Sequence, residues 1–444
     1  MAYRPHSGGL SRRRFLRAAA TASAIPSLQG ARVWGANQPY DGKLLVTLQL
    51  DGGADVTQLC DPKVNVKGEP KINNWADSAD PGEAGNILYA PVADNKWLFD
   101  TYGADMLVVN GVDAMTNSHE TGRLFNWTGS NAEGKPSLTA LHAASNSPEQ
   151  PLAYSVFGGT SRTSGIIGYN RFSDLSAMKA LSQPRRSSWD DQLKRPEEEF
   201  ATVDNIVSNE LARLETQNLS PRQRASLERF TVARTKRDSL ISLAEILPAQ
   251  DDIVEQDQFM VGTQSFWDNL KQQMQSALLV FKSGLGSAAD LQVSGFDSHD
   301  NHDAIHEQLY INLASSINYF WDYADQLGLA DRILLVIGSD FGRTNMYNDG
   351  EGKDHWPVGS YIIMERDAPW GNRVVGASDE LHFAKTINPK TLKEDSKGVL
   401  ITPAHVHLAI QKYLGFDRFA QNLGLGIGEV EALPLFDASK RTGA

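Results

Sequence analysis

Lys43-Leu44-Leu45-Val46-Thr47-Leu48-Gln49-Leu50, followed at once by Asp51-Gly52-Gly53-Ala54-Asp55, is the stretch whose reading decides the fold. A nearly continuous apolar run of strand length is what a strand covered on both faces requires, as in a parallel sheet. The two glycines at its carboxyl end permit an unusual turn and a close approach by another group. Outward from this strand, similar runs recur. Met106-Leu107-Val108-Val109-Asn110-Gly111 reads as a second strand and Leu152-Ala153-Tyr154-Ser155-Val156 as a third. Ile333-Leu334-Leu335-Val336-Ile337-Gly338-Ser339-Asp340 and Tyr361-Ile362-Ile363-Met364 follow later. Helical patterns lie between them, at about 303–327 and 403–414, the latter with Pro403 suited to a first turn. Strands alternating with helices predict an α/β fold, a mostly parallel central sheet with helices on both faces.

Residues 185–285 have another texture, rich in Arg, Glu, Gln and Leu. They read as a helical insertion or cap, with Leu211, Leu214 and Leu219 as a partial apolar stripe and the run Phe259 to Phe281 as a further helix. A solvated helical layer over the sheet is the competing reading. The N-terminus carries Ser11-Arg12-Arg13-Arg14-Phe15-Leu16-Arg17 and then the small apolar run Ala18 to Ile25. That order matches a twin-arginine signal, so residues 1–36 are set apart and 37–444 are read as the folded domain. The expected location is periplasmic or secreted. No later run reaches 18 consecutive apolar residues, so no stable membrane span is expected in the mature protein.

The 444 residues carry a net charge of −12, which argues against a nucleic-acid partner. The single cysteine, Cys60, excludes an internal disulfide and reads as a packed residue.

The chemistry-bearing residues fall at strand ends. Asp51 closes the first strand, Asp297 and His299 follow a segment from Leu291, and Asp340 closes the Ile333 strand. Ser118 and His119 lie in the loop after the Met106 strand, and His355 lies before the Tyr361 strand. Sites in open α/β sheets form outside the carboxyl ends of the strands, so these residues can converge. Carboxylates and imidazoles are ligands for ions such as zinc or manganese, and clustered buried carboxylates need a cation. In Asp297-Ser298-His299 both outer side chains lie on one side of an extended segment. The ordinary alternatives are helix caps for Asp51, Asp340 and Ser118, and a loop salt bridge for Asp354-His355. His302 and His306 share a helix face, and His302 is held as a reserve ligand.

Leu48-Gln49-Leu50-Asp51-Gly52-Gly53-Ala54-Asp55, Gly295-Phe296-Asp297-Ser298-His299, and Ser339-Asp340-Phe341-Gly342-Arg343-Thr344 with Lys353-Asp354-His355-Trp356 resemble domain-of-unknown-function family 1501. Asn117-Ser118-His119 resembles its Ser-His loop, and the order agrees from about residue 43 to 415. That family looks like a member of the alkaline phosphatase and sulfatase superfamily, which implies an alkaline phosphatase-like fold and a metal-dependent hydrolase. The resemblance implies Asp51, Asp297, His299, Asp340 and His355 as metal ligands and Ser118 as nucleophile. Two departures stand out. Phe341 occupies a place where the superfamily block usually has a metal-binding His, and Asp340 stands where family 1501 more often has Glu. The expected activity is hydrolysis of a phosphate or sulfate ester with one or two divalent ions (zinc, manganese or calcium). His119 belongs to the catalytic set, and Arg343 and Arg123 are candidates to hold the anionic ester, sulfated or phosphorylated. For Arg343 a surface salt bridge is the alternative. A non-catalytic exported protein that binds a metal or polysaccharide, or an enzyme using a water activated by the metal, are the competing functions.

Overall fold

The computed structural model describes residues 39–187, 192–235, 240–261 and 264–440. The expected signal segment lies outside them. From Pro39 onward the chain clusters into one compact unit.

Its centre is an eight-stranded sheet. The spatial order is Arg373–Val375, Met106–Asp113, Val358–Met364, Ile333–Ser339, Leu44–Asp51, Ala288–Ser294, Tyr154–Val156 and Asn170–Arg171. Val358–Met364 runs antiparallel to both its neighbours, and every other pairing is parallel. The first strand sits near the middle and alternates cleanly. Leu44, Val46, Leu48 and Leu50 pack into one core, while Leu45 packs into a second core across the sheet. The Ile333 strand does the same, with Ile333, Leu335 and Ile337 on one face and Leu334 and Val336 on the other. Helices Asn95–Tyr102, Leu270–Lys282 and His302–Gln326 cover the first face; Leu138–Asn146 and Pro403–Tyr413 cover the second. Burying one such leucine or isoleucine contributes about 2 kcal/mol. The central strands therefore form a rigid frame whose carboxyl ends can hold side chains in fixed positions. Cys60 is buried, as expected of a packed residue.

Two expectations need correction. The run Phe259 to Phe281 is not one helix. Asp257–Val261 and Gln264–Asp268 pair as an antiparallel hairpin, and the helix begins only at Leu270. Phe259 and Phe266 face each other in register and stack at 5.3 Å, a cross-strand pair with period two. Asp268 Oδ1 then accepts from the Leu270 amide at 3.1 Å and starts the helix. The insertion is also shorter than 185–285. Leu270, Met274, Ala277, Leu278 and Phe281 are buried in the main core, so that last helix belongs to the sheet domain. Helix Glu197–Glu215, by contrast, has no buried residue, as a solvated layer would.

Candidate metal centre

The carboxyl ends of the central strands bring distant loops together. After Asp51 the chain turns through Gly52 and Gly53 with φ of +117° and +90°. A Cβ on Gly52 would lie 2.4 Å from the Asp297 amide nitrogen, and one on Gly53 would lie 2.8 Å from the Phe341 ring. Only glycines let these three strand ends approach so closely. Gly122 does the same for helix His119–Thr128, where a Cβ would stand 2.5 Å from the Asp340 carbonyl oxygen. That contact seats His119 over the end of the Ile333 strand.

Three histidines then converge on one carboxylate. Nε2 of His299 lies 3.0 Å from Asp297 Oδ1, and Nε2 of His355 lies 3.2 Å from the same oxygen. Nε2 of His119 lies 3.4 Å from Asp297 Oδ2. The Nε2 atoms of His299 and His355 stand 3.1 Å apart. One ligand atom each from His119, Asp297 and His355 falls within a 4.8 Å span.

The other ring nitrogens reveal how each imidazole is set. Nδ1 of His119 meets Asp340 Oδ2 at 2.5 Å, Nδ1 of His299 meets Asp354 Oδ1 at 2.7 Å, and Nδ1 of His355 meets the Asn117 carbonyl oxygen at 2.8 Å. All three partners are acceptors, so each Nδ1 carries the proton. Wherever such a ring is neutral, its Nε2 is a bare lone pair. Two lone pairs facing at 3.1 Å beside a carboxylate repel one another unless a proton or a cation lies between them. Nε2 of His119 is also buried without a hydrogen-bond partner. Ligand atoms around a tetrahedral zinc with bonds of about 2.0–2.1 Å stand about 3.3 Å apart; His119, Asp297 and His355 group within 4.8 Å, and His299 adjoins them through Asp297 and His355. Three imidazoles and one carboxylate suit zinc or manganese, whereas calcium prefers an all-oxygen shell. The residues present thus fit a divalent transition-type ion, with Asp340, Asp354 and the Asn117 carbonyl orienting the three rings.

Electrostatics follow from the same contacts. Burial raises the Asp297 carboxyl, but the hydrogen bond and charge of Arg343, with His119 and His355 nearby, bring it down to about 2. The hydrogen bond that His119 donates to Asp340 raises its imidazole against an opposing effect of burial. His119 therefore takes up a proton at higher pH than an ordinary histidine, and that proton competes for the nitrogen that faces Asp297. Metal uptake is expected to release protons and to weaken as pH falls, beginning above the ordinary histidine value of about 6.5. Calorimetry in buffers of different ionisation enthalpy measures the proton count directly, and a count of zero at pH 7 would contradict this arrangement.

Other expected roles are changed by the structure. Asp340 was expected as a direct ligand. It is buried, accepts from the Gly52 amide at 3.1 Å and Ser339 Oγ at 3.1 Å, and stands behind His119 as its orienting carboxylate. Asp51 does not join the three histidines. Its oxygens accept from Arg123 through Nε and, at 3.2 Å, through Nη2. Arg123 is thereby committed to Asp51, though its side chain is 39% exposed. Arg343 is fully buried and is neither a surface salt bridge nor an open anion clamp. It donates to Gly53 O at 3.0 Å, Lys353 O at 2.9 Å, Gly52 O, and Asp297 Oδ1 at 2.6 Å. It locks the glycine turn and aims the Asp297 carboxylate. His302, the reserve ligand, is fully buried against Asp55 and lies outside the group.

Phe341, which stands where a ligand was expected, packs 4.7 Å from the His119 ring and 4.6 Å from His355. It is an apolar floor beneath both rings. Ser118 is at the N-cap of helix His119–Thr128, yet its side chain makes no capping hydrogen bond. The residue is exposed, so its hydroxyl is left for other use. Asp354, read in the sequence as part of a loop salt bridge, and the Asn117 carbonyl are participants whose orienting roles sequence reasoning did not give. The first was visible only as a neighbour of His355, and the second, a backbone group, has no sequence signal.

The fold and these side chains define an α/β protein with a histidine-rich, metal-competent centre at the carboxyl edge of its sheet. Residues 42–407 match the family model described as protein of unknown function, DUF1501, and the chain belongs to that family. Comparison with curated proteins finds no match. Among solved structures, Ps i-CgsB in complex with k-i-k-neocarrahexaose is similar at 8% identity, covering 90% of this chain and 76% of that one with a TM-score of 0.40. A Bacteroides thetaiotaomicron structure of glycosaminoglycan metabolism is similar at 9% identity, covering 91% and 78%, with a TM-score of 0.40. Alkaline phosphatase from the Antarctic bacterium TAB5 is similar at 9% identity, covering 86% and 99%, with a TM-score of 0.33.

Proposed function

We propose that this protein is an exported, metal-dependent hydrolase of phosphate or sulfate esters, working at a single divalent centre held by His119, His299, His355 and Asp297. The observation that carries the reading is the convergence of the His299 and His355 Nε2 atoms, 3.1 Å apart and 3.0 and 3.2 Å from Asp297 Oδ1. A bound divalent ion supplies positive charge that stabilises the anionic ester and the charge developing on its oxygens. The chain supplies the rest. Ser118 is the nucleophile, free of a capping bond at the amino end of a ten-residue helix. The positive pole of that helix favours an anion next to it. Asp340 and Asp354 hold His119 and His299 in the ligating tautomer. The Asp51–Arg123 pair stands beside the centre and keeps a guanidinium where a second cation would otherwise neutralise Asp51. The acidic net charge does not oppose an anionic ester, because the ion reverses the local sign. The twin-arginine pattern supports export to the periplasm or beyond.

The test is elemental analysis of the purified chain together with turnover of aryl phosphate and aryl sulfate esters. About one equivalent of zinc or manganese and hydrolysis of one ester class are expected. Ser118→Ala should retain the metal and lose at least about 100-fold in turnover. Retained turnover in Ser118→Ala would move the nucleophile to water. Absence of metal after reconstitution with zinc and manganese would sink the hydrolase reading and favour a binding protein.

A further inference from the structure

Directly behind the centre lies a second cluster that the proposed reaction does not use. Asp55, Lys353, His302 and His306 are each fully buried, and Ser298 is nearly so. Their hydrogen bonds have one consistent direction. The Asp55 amide can only donate, so His306 Nε2, 3.3 Å away, accepts. Burial drives His306 well below the ordinary histidine value and lowers His302 too, so both rings are neutral. His306 Nδ1 therefore carries a proton and donates to Ser298 Oγ at 3.1 Å. The Ser298 hydroxyl then donates to His302 Nδ1 at 2.8 Å. His302 Nε2 donates to Asp55 Oδ2 at 2.9 Å and closes the ring on the residue where it began. Lys353 Nζ, 2.6 Å from the same oxygen, balances the Asp55 charge. The other oxygen, Oδ1, accepts from the Thr57 amide at 2.9 Å and hydroxyl at 2.7 Å.

The ring touches both metal-facing segments through the backbone. Ser298 lies between Asp297 and His299. Its carbonyl oxygen accepts from the Lys353 amide at 3.2 Å, two residues before His355. The Lys353 carbonyl holds Arg343 at 2.9 Å, and Arg343 holds Asp297. We infer that Ser298, His302, His306, Asp55 and Lys353 form a closed positioning ring that fixes Asp297, His299 and His355 for the centre, with the Ser298 hydroxyl as its node. The inference rests on the metal centre proposed above. The ring residues are positioning residues, since they are buried away from any substrate.

The experiment uses the full chain with Ser298→Ala and, as rescue, Ser298→Thr, which keeps the hydroxyl. Zinc affinity is measured by competition with a chelating dye, and imidazole nitrogen spectra of the metal-free chain report the tautomers of His299 and His355. In Ser298→Ala the zinc affinity should fall by about 10–100-fold with stoichiometry unchanged. The His299 and His355 signals should shift, and Ser298→Thr should restore both. Unchanged affinity and unchanged His299 and His355 signals, with only a lower melting temperature, would overturn the inference and leave the ring a core feature. If the native chain takes up no zinc, the metal reading fails separately. The ring then stands or falls on the tautomer spectra alone.

Discussion

Asp297→Ala is expected to empty the chain of bound metal and to lower its stability at neutral pH, the largest single loss at the centre. Asp297 is the common partner of His119, His299, His355 and the buried Arg343. No other carboxylate among the described residues meets all three Nε2 atoms. Its removal leaves three lone pairs with no anionic ligand among them and deprives a fully buried guanidinium of its counter-charge. Breaking one side of a buried ion pair costs about 3–5 kcal/mol. Asp297 is 47% exposed and Arg343 keeps its carbonyl acceptors, so about 2 kcal/mol is expected here. Metal content by elemental analysis and the urea midpoint at pH 7 check both parts. One equivalent of metal retained in Asp297→Ala would place the ligands elsewhere. The acid side offers a further check. The folded carboxyl, at about 2, lies below its unfolded value of about 3.9. Its contribution is therefore present above about pH 4 and is lost as pH falls toward 2. Asp297→Ala should lack that part of the acid sensitivity.

Lys353→Met is expected to destabilise the fold by about 3–5 kcal/mol at pH 8, read as a fall in the urea midpoint without a change in slope. Both Lys353 and Asp55 are fully buried, 2.6 Å apart. Methionine matches the stem but removes the only ammonium among the described residues that faces Asp55. Burial alone would raise that carboxyl; the Lys353 charge, with the hydrogen bond donated by His302, instead holds it well below the usual range. In the native protein this stabilisation is present above the unfolded value of about 3.9 and lost as pH falls below it. In the variant, Asp55 is left to burial and takes up a proton more readily. The gap between native and variant should therefore narrow from pH 8 to pH 5. A gap under about 1 kcal/mol at pH 8 would mean that the pair contributes nothing net.

These expectations draw on residues that differed in how legible they were. The apolar run Leu44 to Leu50 and its successors at 106, 333 and 361 announce a sheet covered on both faces, because burial on two sides admits few polar side chains. Asp297 and His299 after one strand and His355 before another could be picked out as candidates from position and residue type alone. Helix and hairpin in 257–282 were not separable, because short apolar runs fit both periods until the stacking of Phe259 on Phe266 decides between them.

The assignment of roles was a tertiary matter. Asp51 and Asp340 read alike in sequence as acids closing parallel strands. Only the fold sets Arg123 against one and His119 Nδ1 against the other, which removes both from the set facing Asp297. Arg343 read as a surface or substrate-facing cation, and the approach of Gly52 and Gly53 buries it instead. His302 and His306 read as neighbours on one helix face, with His302 alone a reserve ligand, and a lysine 51 and 47 positions further on, Lys353, makes them part of a neutral ring. Sequence thus determined the layered sheet, the order of the strand-end acids and histidines, and the chemistry they can carry, because these depend on periodicity and residue type. Only the tertiary structure decided which nitrogen or oxygen each group presents, because hydrogen-bond direction is set by partners hundreds of residues away and often by backbone atoms that no side-chain pattern encodes.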